Sequence, residues 1–544
     1  MANLNKIIRN SLHFLSSNLI NLVLGLISSV ILARSLHANN LGVFHQVLWF
    51  SGLVSTLISL GFITCIIKFS AEYKAKGLKK NIASLTKFIV KVELAITLLS
   101  SVALIFMSTS IADHYFSPDQ SILFVISFLA ITPGMQTAIF SALLEGNQIF
   151  KYQNIHSMTV TPIAILTKIT LMMTGFGVTS LLVCNLAFSI VNLIYYYYAV
   201  KKEQILPEWS SIEPLDPKSK KDVLNYNRSV FSIVVIDLIV WSRSENYFLG
   251  RYCSAAQVAY YNIAQNLIHK FTGIIPTLMW KMLLPLASEN EGKNNLSYRK
   301  KTYFHAVRYS AFILFPLITL CFIGAYELIV IFYGQEYSQV QICFQIMCVG
   351  ALITSLTQPG SAIIYATNKQ GFIFWYGLVL AFLNIGLDIW LIPKYQAIGA
   401  SICFTITTSL GALGGFFFLT TRLKLKIPLI AISKIAFCCS LMGFSLYWLI
   451  RIDSSYFNHF NSLIHSIKNL IHINTEIIFG PRTIRLIFGF SLSSLLYLYA
   501  GFLLFTPEKD DLKILNAIKQ YLPKRLMNFL LRRDSLKNAK DSLY

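Results

Sequence analysis

The sequence predicts an all-α polytopic membrane protein of about 14 transmembrane helices, and composition, apolar runs and charge distribution all favour this class. Of the 544 residues, 55% are hydrophobic and only 13% are charged, and the mean hydropathy is +0.60. Soluble domains carry about 25% charged residues. A bilayer span needs roughly 17–25 mainly apolar residues, because backbone groups in lipid must hydrogen-bond within their own helix. Runs of this length recur along the whole chain.

Fourteen apolar runs are long enough to cross a bilayer. Because fourteen is even, both termini are expected on the same side of the membrane. The runs lie at about 11–33, 41–67, 86–110, 121–144, 155–176, 178–200, 225–250, 257–285, 304–330, 340–366, 371–392, 397–419, 430–450 and 485–505.

Lysine and arginine are distributed unequally between the predicted loops. With a cytoplasmic N-terminus, 34 of the 46 cationic residues fall in cytoplasmic segments and 7 in outer segments. This bias follows the positive-inside rule and favours the orientation with both termini cytoplasmic. The formal net charge of +22 has the same explanation. No nucleic-acid partner is predicted, because no nucleic-acid-binding motif accompanies the charge.

An internal repeat relates the first six predicted spans to the next six. Residues 34–44 follow the first span and residues 251–261 follow the seventh; both begin with arginine and end with an aromatic residue, and their alanine, aliphatic and small residues align. Residues 145–152 and 368–376 are similar at nearly the same offset. Six spans preserve orientation, so the repeat predicts two six-helix bundles related by a pseudo-twofold axis along the membrane normal.

The repeat divides the chain into five predicted segments. Prolines and charges mark the second segment as a linker between the bundles, and the alternating apolar and basic residues of the last one predict an interfacial helix. The segments are an N-terminal six-helix bundle at 1–200 (the N-half), a cytoplasmic linker at 201–222, a C-terminal six-helix bundle at 223–425 (the C-half), two additional transmembrane helices with an outer segment 451–484 at 426–510, and a basic cytoplasmic tail at 511–544.

Short segments along residues 1–425 resemble one family. They are residues 31–36 with 41–44, 244–250 with 261–264, 333–337, and 384–388 with 391–393 and 397–400. In these segments the chain resembles the polysaccharide flippase family, the bacterial exporters of lipid-linked O-antigen and capsule oligosaccharides. That family shares a superfamily with lipid II flippases and multidrug and toxin extrusion transporters. The chain departs from the pattern at residues 394–396 and in the outer segment 451–484.

The resemblance implies a function. It implies a flippase that translocates polyprenyl-pyrophosphate-linked oligosaccharide units across the bacterial cytoplasmic (inner) membrane for surface polysaccharide biosynthesis. With two six-helix bundles, alternating access by rocking of the bundles is the mechanism we expect. The expected partners are the polyprenyl-pyrophosphate-linked glycan and membrane lipid, with a polysaccharide polymerase as a further candidate.

Polar and ionisable residues inside the apolar runs are candidates for function, because they are costly in a membrane. A hydrated cleft lined with cations would bind a pyrophosphate through charge-assisted hydrogen bonds. Snorkelling to an interface and hydrogen bonding between helices are the alternative roles. The candidate substrate-binding residues are Lys168, Lys270, Arg243, His269, Asn262, Asn266 and Arg34.

Three acidic residues in the apolar runs are candidates for coupling to a proton or sodium gradient: Asp237, Glu245 and Asp388. A structural ion pair is the alternative for Glu245. We expect no enzymatic activity, because no P-loop sequence for ATP hydrolysis is present. The nine cysteines show no metal-ligand spacing, so neither a metal nor a cofactor is predicted.

Two other functions remain open at this stage. An ion-coupled multidrug exporter of the same superfamily would need an acidic, cation-binding cavity, whereas the predicted interior is cationic. An O-antigen polymerase would need a large outer loop, and segment 451–484 is short and apolar for that role.

Overall fold

The computed structural model describes residues 2–59, 61–115, 120–241, 244–273, 275–277, 279, 283, 296–367, 371–451 and 481–504. Within these ranges the regular secondary structure is helical and no strand occurs. Nine stretches of this part of the chain are long and apolar enough to cross a membrane. The predicted fold class, an all-helical polytopic membrane protein, is therefore confirmed.

The N-half contains nine helices among the described residues. Most begin or end where a polar or glycine-containing loop interrupts an apolar run. They are α1 (Ala2–Ile58), α2 (Phe62–Ala75), α3 (Lys79–Phe106), α4 (Ser108–Tyr115), α5 (Ser121–Leu129), α6 (Ile131–Gly146), α7 (Lys151–Met158), α8 (Val160–Met173) and α9 (Val178–Lys202).

The rest of the described chain contains nine more helices. A short 3₁₀ turn at Trp209–Ser211 precedes the first of them, and another at Gln335–Tyr337 lies between α14 and α15. The helices are α10 (Pro217–Trp241), α11 (Ser244–Tyr252), α12 (Ala255–Thr272), α13 (Leu296–Ile323), α14 (Ala325–Tyr333), α15 (Val340–Ala366), α16 (Gly371–Thr421), α17 (Leu429–Arg451) and α18 (Pro481–Leu504).

Two of these helices are longer than one span. At 1.5 Å per residue, the 51 residues of α16 would extend roughly 77 Å, against a hydrocarbon core of about 30 Å. The backbone of α16 is non-helical at Gln396, and the Phe372 ring stacks on Phe418 at 4.2 Å, so α16 is a helical hairpin. Helix α1 is likewise broken at His37. In the part of the chain that the structure describes, each of the fourteen predicted spans overlaps helix, while the number fourteen itself stays a prediction.

The largest buried apolar core joins both halves, and smaller cores lie beside it. The shared core includes Phe44 and Leu181 of the N-half with Tyr261 and Phe344 of the C-half. Beside the segments predicted to be cytoplasmic, the cores separate. One core there contains Ile66, Leu85 and Ile139 of the N-half with Val223 at the start of α10, and the other contains Tyr303, Ile363 and Leu419 of the C-half.

The start of α10 packs against the N-half. The Lys68 ammonium lies 3.7 Å from the centre of the Tyr226 ring, and the Cys65 thiol donates to Asn227 Oδ1 at 3.4 Å. In the linker, the carbonyl of Ile212 accepts a hydrogen bond from Lys87 Nζ at 2.7 Å. Helices α17 and α18 pack against α13, with Cys438, Met442 and Tyr497 buried between them.

Candidate functional site

A set of hydrogen bonds joins α1 to the end of α14, and we call this set the latch. It lies at the end of the molecule that the distribution of lysine and arginine predicts to be extracytoplasmic. The latch consists of Ser29, Ala33, Arg34, His37 and Ala38 on α1 with Ile331, Phe332, Tyr333, Glu336 and Tyr337 of the C-half. Ser29 Oγ lies 2.9 Å from the Tyr333 hydroxyl, Tyr337 donates to the carbonyl of Ala33 at 2.7 Å, and the backbone N–H of Ala38 donates to Glu336 at 2.8 Å.

Arg34, predicted to bind substrate, is part of the latch. Its Nε donates to the carbonyl of Phe332 and its Nη2 to the carbonyl of Ile331, both at 2.7 Å. These carbonyls are at the C-terminal end of α14, where helix carbonyls lack partners within the helix and a cation is favourable. In this conformation Arg34 therefore holds the two halves together.

The two segments of the sequence repeat meet beside the latch. The first is broken at His37, with φ 59° and ψ 168°, and the second is extended at Ser254, between α11 and α12. A Cβ atom placed on Gly42 would lie 1.7 Å from the carbonyl oxygen of Ala255. Only glycine permits the two backbones to approach this closely.

Lys270 lies deeper along the same contact between α1 and α12, which we call the seam. Its Nζ donates to the carbonyl of Gly25 at 2.7 Å, and its side chain is half-buried. The neighbouring candidate Asn262 is buried and donates to Asn246 Oδ1 at 2.6 Å and to the carbonyl of Val258 at 2.8 Å. Asn262 thus joins α12 to α11 by a hydrogen bond, which is the alternative role considered above. The candidate Asn266 on the same helix is half-buried.

Lys168 lies on the inner face of α8. It is half-buried one turn before the buried Met172, while Ile163, Leu166 and Thr170 form the exposed face of the same helix. No hydrogen bond or ion pair joins Lys168 to the residues that the structure describes. Lys168 and Lys270 belong to helices that both pack against α1.

A cavity of about 490 Å³ opens within the C-half, between α12, α13, α15 and α16. The predicted residue His269 lines it, with its ring edge-on to Phe404 at 6.0 Å. The other polar lining residues are not predicted from the sequence, because they come from three helices distant in sequence. We call it the hydroxyl cavity, defined by His269, Thr272, Thr354, Gln358, Phe404 and Thr408.

Asp388 occupies a polar cluster between α11 and the hairpin α16. It is fully buried, and its Oδ2 accepts hydrogen bonds from Ser244 Oγ at 2.8 Å and Asn384 Nδ2 at 3.4 Å. Thr407 donates to Asn384 Oδ1 at 2.6 Å. Asp388 Oδ1 accepts no hydrogen bond from the described residues. The second candidate Glu245 is also buried, next to Ser244.

Two candidates lie outside the described residues, and one acidic residue was missed. Arg243 and the side chain of Asp237 belong to the undescribed part. The missed residue is Glu93 on α3, which is fully buried and whose carboxylate oxygens accept no hydrogen bond within the described chain. It is the one acidic residue of the run 86–110, a signal that could have identified it.

Solved structures with the same fold define the class of protein. The lipid II flippase MurJ in an inward closed conformation superposes with a TM-score of 0.70, 16% identity and coverage of 90% of this chain and 97% of MurJ. An inward-facing multidrug resistance MATE transporter superposes with a TM-score of 0.62, 13% identity and coverage of 78% of this chain and 99% of that chain. The chain therefore has the fold of a polytopic helical transporter.

The family is shown by sequence. The family model described as "Polysaccharide biosynthesis protein" matches residues 31–342, and the chain belongs to this family. The probable flippase AglR of Haloferax volcanii is 23% identical over 252 residues, 46% of this chain and half the length of AglR. The uncharacterized membrane protein MJ1068 of Methanocaldococcus jannaschii is 23% identical over 398 residues, 68% of this chain and 76% of MJ1068.

These comparisons confirm the resemblance inferred from the short segments. The matching proteins with a stated activity are a probable flippase and transporters, which agrees with the expectation that the chain is not an enzyme.

Proposed function

We propose that this chain is a flippase that translocates polyprenyl-pyrophosphate-linked oligosaccharides across the bacterial cytoplasmic membrane by alternating access. The latch and the shared core hold the halves together at one end. At the opposite end, α10 alone of the described C-half helices contributes to the core of the N-half, and Tyr303, Ile363 and Leu419 belong to a separate core. This division is the observation that carries the proposal, and we infer from it that the halves separate as a cleft at the basic end, which we assign to the cytoplasm.

The seam supplies the cationic group for the pyrophosphate. Lys270 Nζ carries three donors and bonds one carbonyl of the described chain, at Gly25. A phosphate oxygen carries more negative charge than a carbonyl oxygen, so it forms the stronger hydrogen bond with the ammonium. We infer that the pyrophosphate binds Lys270 when the seam loosens, and that Lys168 on α8 contributes a second positive charge.

The polar cluster is our candidate for ion coupling. An ionised carboxylate in an apolar interior is costly unless it is paired or hydrogen-bonded, and Asp388 Oδ1 lacks a hydrogen-bond partner among the described residues. Binding of a proton or sodium ion would supply the missing interaction. Because Asp388 and Ser244 connect α16 to α11, a change of charge there would alter the packing of the C-half. Glu245 and Asp237 remain secondary candidates.

The multidrug exporter is the second candidate function, because its fold also matches this chain. The described side chains along α8 and α12 favour an anionic substrate, since Lys168 and Lys270 would repel an organic cation. Both termini in the cytoplasm and a polysaccharide polymerase as partner remain part of our proposal.

A reconstituted flipping assay tests the proposal. Proteoliposomes containing the full chain and a polyprenyl-pyrophosphate disaccharide would be probed with an impermeant lectin that binds the terminal sugar. We expect the chain to move inner-leaflet lipid to the outside, so that lectin binding rises above that of protein-free vesicles. Lectin binding equal to that of protein-free vesicles would refute the flippase. Efflux of an organic cation from the same vesicles would favour the exporter.

A further inference from the structure

We propose that the hydroxyl cavity binds the uncharged sugar rings of the lipid-linked oligosaccharide, apart from the site of its phosphates. This inference rests on the proposed function and assigns a separate subsite to each part of the substrate. The volume of about 490 Å³ lies within the ~300–1,000 Å³ range of small-molecule sites. We infer that the cavity accommodates a mono- or disaccharide.

The hydrogen-bonding character of the cavity favours sugars over phosphates. Thr272 and Thr408 each donate their hydroxyl proton to the carbonyl four residues earlier at 2.7 Å. Thr354 donates to the carbonyl three residues earlier at 3.2 Å. A hydroxyl has one proton and two lone pairs, so these groups offer only lone pairs to the cavity. Sugar hydroxyls can donate to them, whereas an ionised pyrophosphate, which only accepts, is repelled.

The remaining walls fit the apolar side of a sugar ring. Phe404 presents an aromatic ring to the cavity, and its neighbours Leu314 and Met347 are apolar. Gln358 is exposed and supplies both a donor and an acceptor. Among the described lining residues none is acidic and none is a lysine or arginine. These features are those of a site for a neutral ligand with hydroxyl groups and an apolar face.

Helix α12 separates the cavity from the seam. His269 lines the cavity, while the next residue, Lys270, bonds to α1. Consecutive helical residues point about 100° apart, so the two side chains lie on different faces of α12. A substrate with its pyrophosphate at Lys270 and its sugars in the cavity would therefore lie across this helix. Substitutions on the two faces should have separable effects.

Binding measurements with two probes test this assignment. The purified full chain in nanodiscs would be titrated with polyprenyl pyrophosphate and with the same lipid bearing a neutral disaccharide, and the Kd of each measured by thermophoresis. The variants are the double substitution Thr354→Val and Thr408→Val, and Gln358→Leu at an exposed position where misfolding is not a concern. Thr421→Val is the matched control: its hydroxyl also bonds its own helix, at Phe417, and it is exposed outside the cavity.

We expect the double variant to weaken binding of the disaccharide lipid about tenfold, because two hydrogen bonds to substrate are lost. Gln358→Leu should weaken it to a smaller extent, and neither should change binding of the bare lipid. Lys270→Gln should weaken both lipids equally, and Thr421→Val neither. The sugar subsite would be overturned if the cavity variants bound both lipids more weakly by the same factor. It would also be overturned if they bound both lipids as tightly as the unsubstituted chain does. Failure of the unsubstituted chain to bind either lipid would instead refute the proposed function.

Discussion

At the scale of single residues, the position of a residue along an apolar run indicated that it is a functional candidate. The residue that it contacts could not be predicted from the sequence. Lys270 was recognisable as a functional candidate because a lysine in the middle of a span is costly. Its partner, the carbonyl of Gly25, is 245 positions away and is brought close by the packing of α1 on α12. No pattern within the run indicates that contact, and the same holds for Asn262, whose amide bonds α11.

Replacing Lys270 tests the cation at the seam. Lys270→Gln keeps a polar side chain that can reach Gly25 but removes the charge, so flipping of the pyrophosphate lipid should fall at least about tenfold, as expected for losing one charge-assisted hydrogen bond. The measurement is the lectin assay in proteoliposomes. Lys76→Gln is the control, because Lys76 is exposed and pairs with Glu72 one turn earlier. Normal flipping by Lys270→Gln would remove this residue from the substrate path.

Replacing Asp388 tests the coupling site. Asp388→Asn keeps the size of the side chain and can keep the contact with Ser244, but it cannot exchange a proton or neutralise a sodium ion. We expect the flipping rate to lose its dependence on an imposed pH or sodium gradient. The control is Asp216→Asn, at the exposed start of α10, where Asp216 accepts from the Ser219 N–H at 2.9 Å and asparagine caps equally well. A full gradient response in the Asp388 variant would contradict the assignment.

At the scale of helices and turns, the apolar runs predicted where helices lie, and the structure adds where they break. The predicted spans overlap the described helices, because long apolar runs of helix-forming residues determine them, but several helices extend seven to nine residues beyond the predicted limits. The interruptions at Met107, Ala130 and Thr159 each lie inside a single predicted run. Such breaks depend on neighbouring helices, and hydropathy does not report them.

The contact between the two repeated turns gives a prediction for Gly42. Gly42→Ala places a methyl group against the backbone of Ala255, a contact that cannot be relieved by turning a side chain, so it should cost about 1–3 kcal/mol or more. Gly52→Ala on the same helix meets nothing within 4 Å and should stabilise by roughly 0.5–1 kcal/mol. Thermal unfolding in detergent compares the two. An unchanged Tm for Gly42→Ala would show that the turns are not in close contact.

The latch gives a prediction for Arg34. Arg34→Ala removes two hydrogen bonds from the end of α14, and because the site is partly exposed the loss is about 1 kcal/mol, which is roughly fivefold in population of the open end. Labelling of Ser29→Cys by an impermeant maleimide from the outside should accelerate accordingly. Arg251→Ala is the control, since Arg251 holds the equivalent place in the repeat and is exposed. Equal acceleration in both variants would contradict a specific role for Arg34.

At the scale of the whole molecule, charge and repeat predicted an orientation and a division into halves that the described structure can accommodate. The arrangement of the two halves in this structure could not be predicted from the sequence, because it depends on which buried residues of one half contact the other. Tyr261 and Phe344 belong to the shared core, whereas Tyr303 belongs to a core confined to the C-half, yet all three are aromatic residues in or near predicted spans. Composition does not distinguish them.

Distances between spin labels test most directly whether the halves rock about the seam. One pair spans the latch, at the exposed residues Asn39 and Gln339, and a second spans the basic end, at the exposed residues Lys80 and Lys300. Eight of the nine native cysteines are buried, which limits background labelling. When the polyprenyl-pyrophosphate disaccharide is added, we predict a population in which the latch pair is longer and the basic-end pair is shorter. Two distances that stay fixed, or that lengthen together, would contradict alternating access by these two halves.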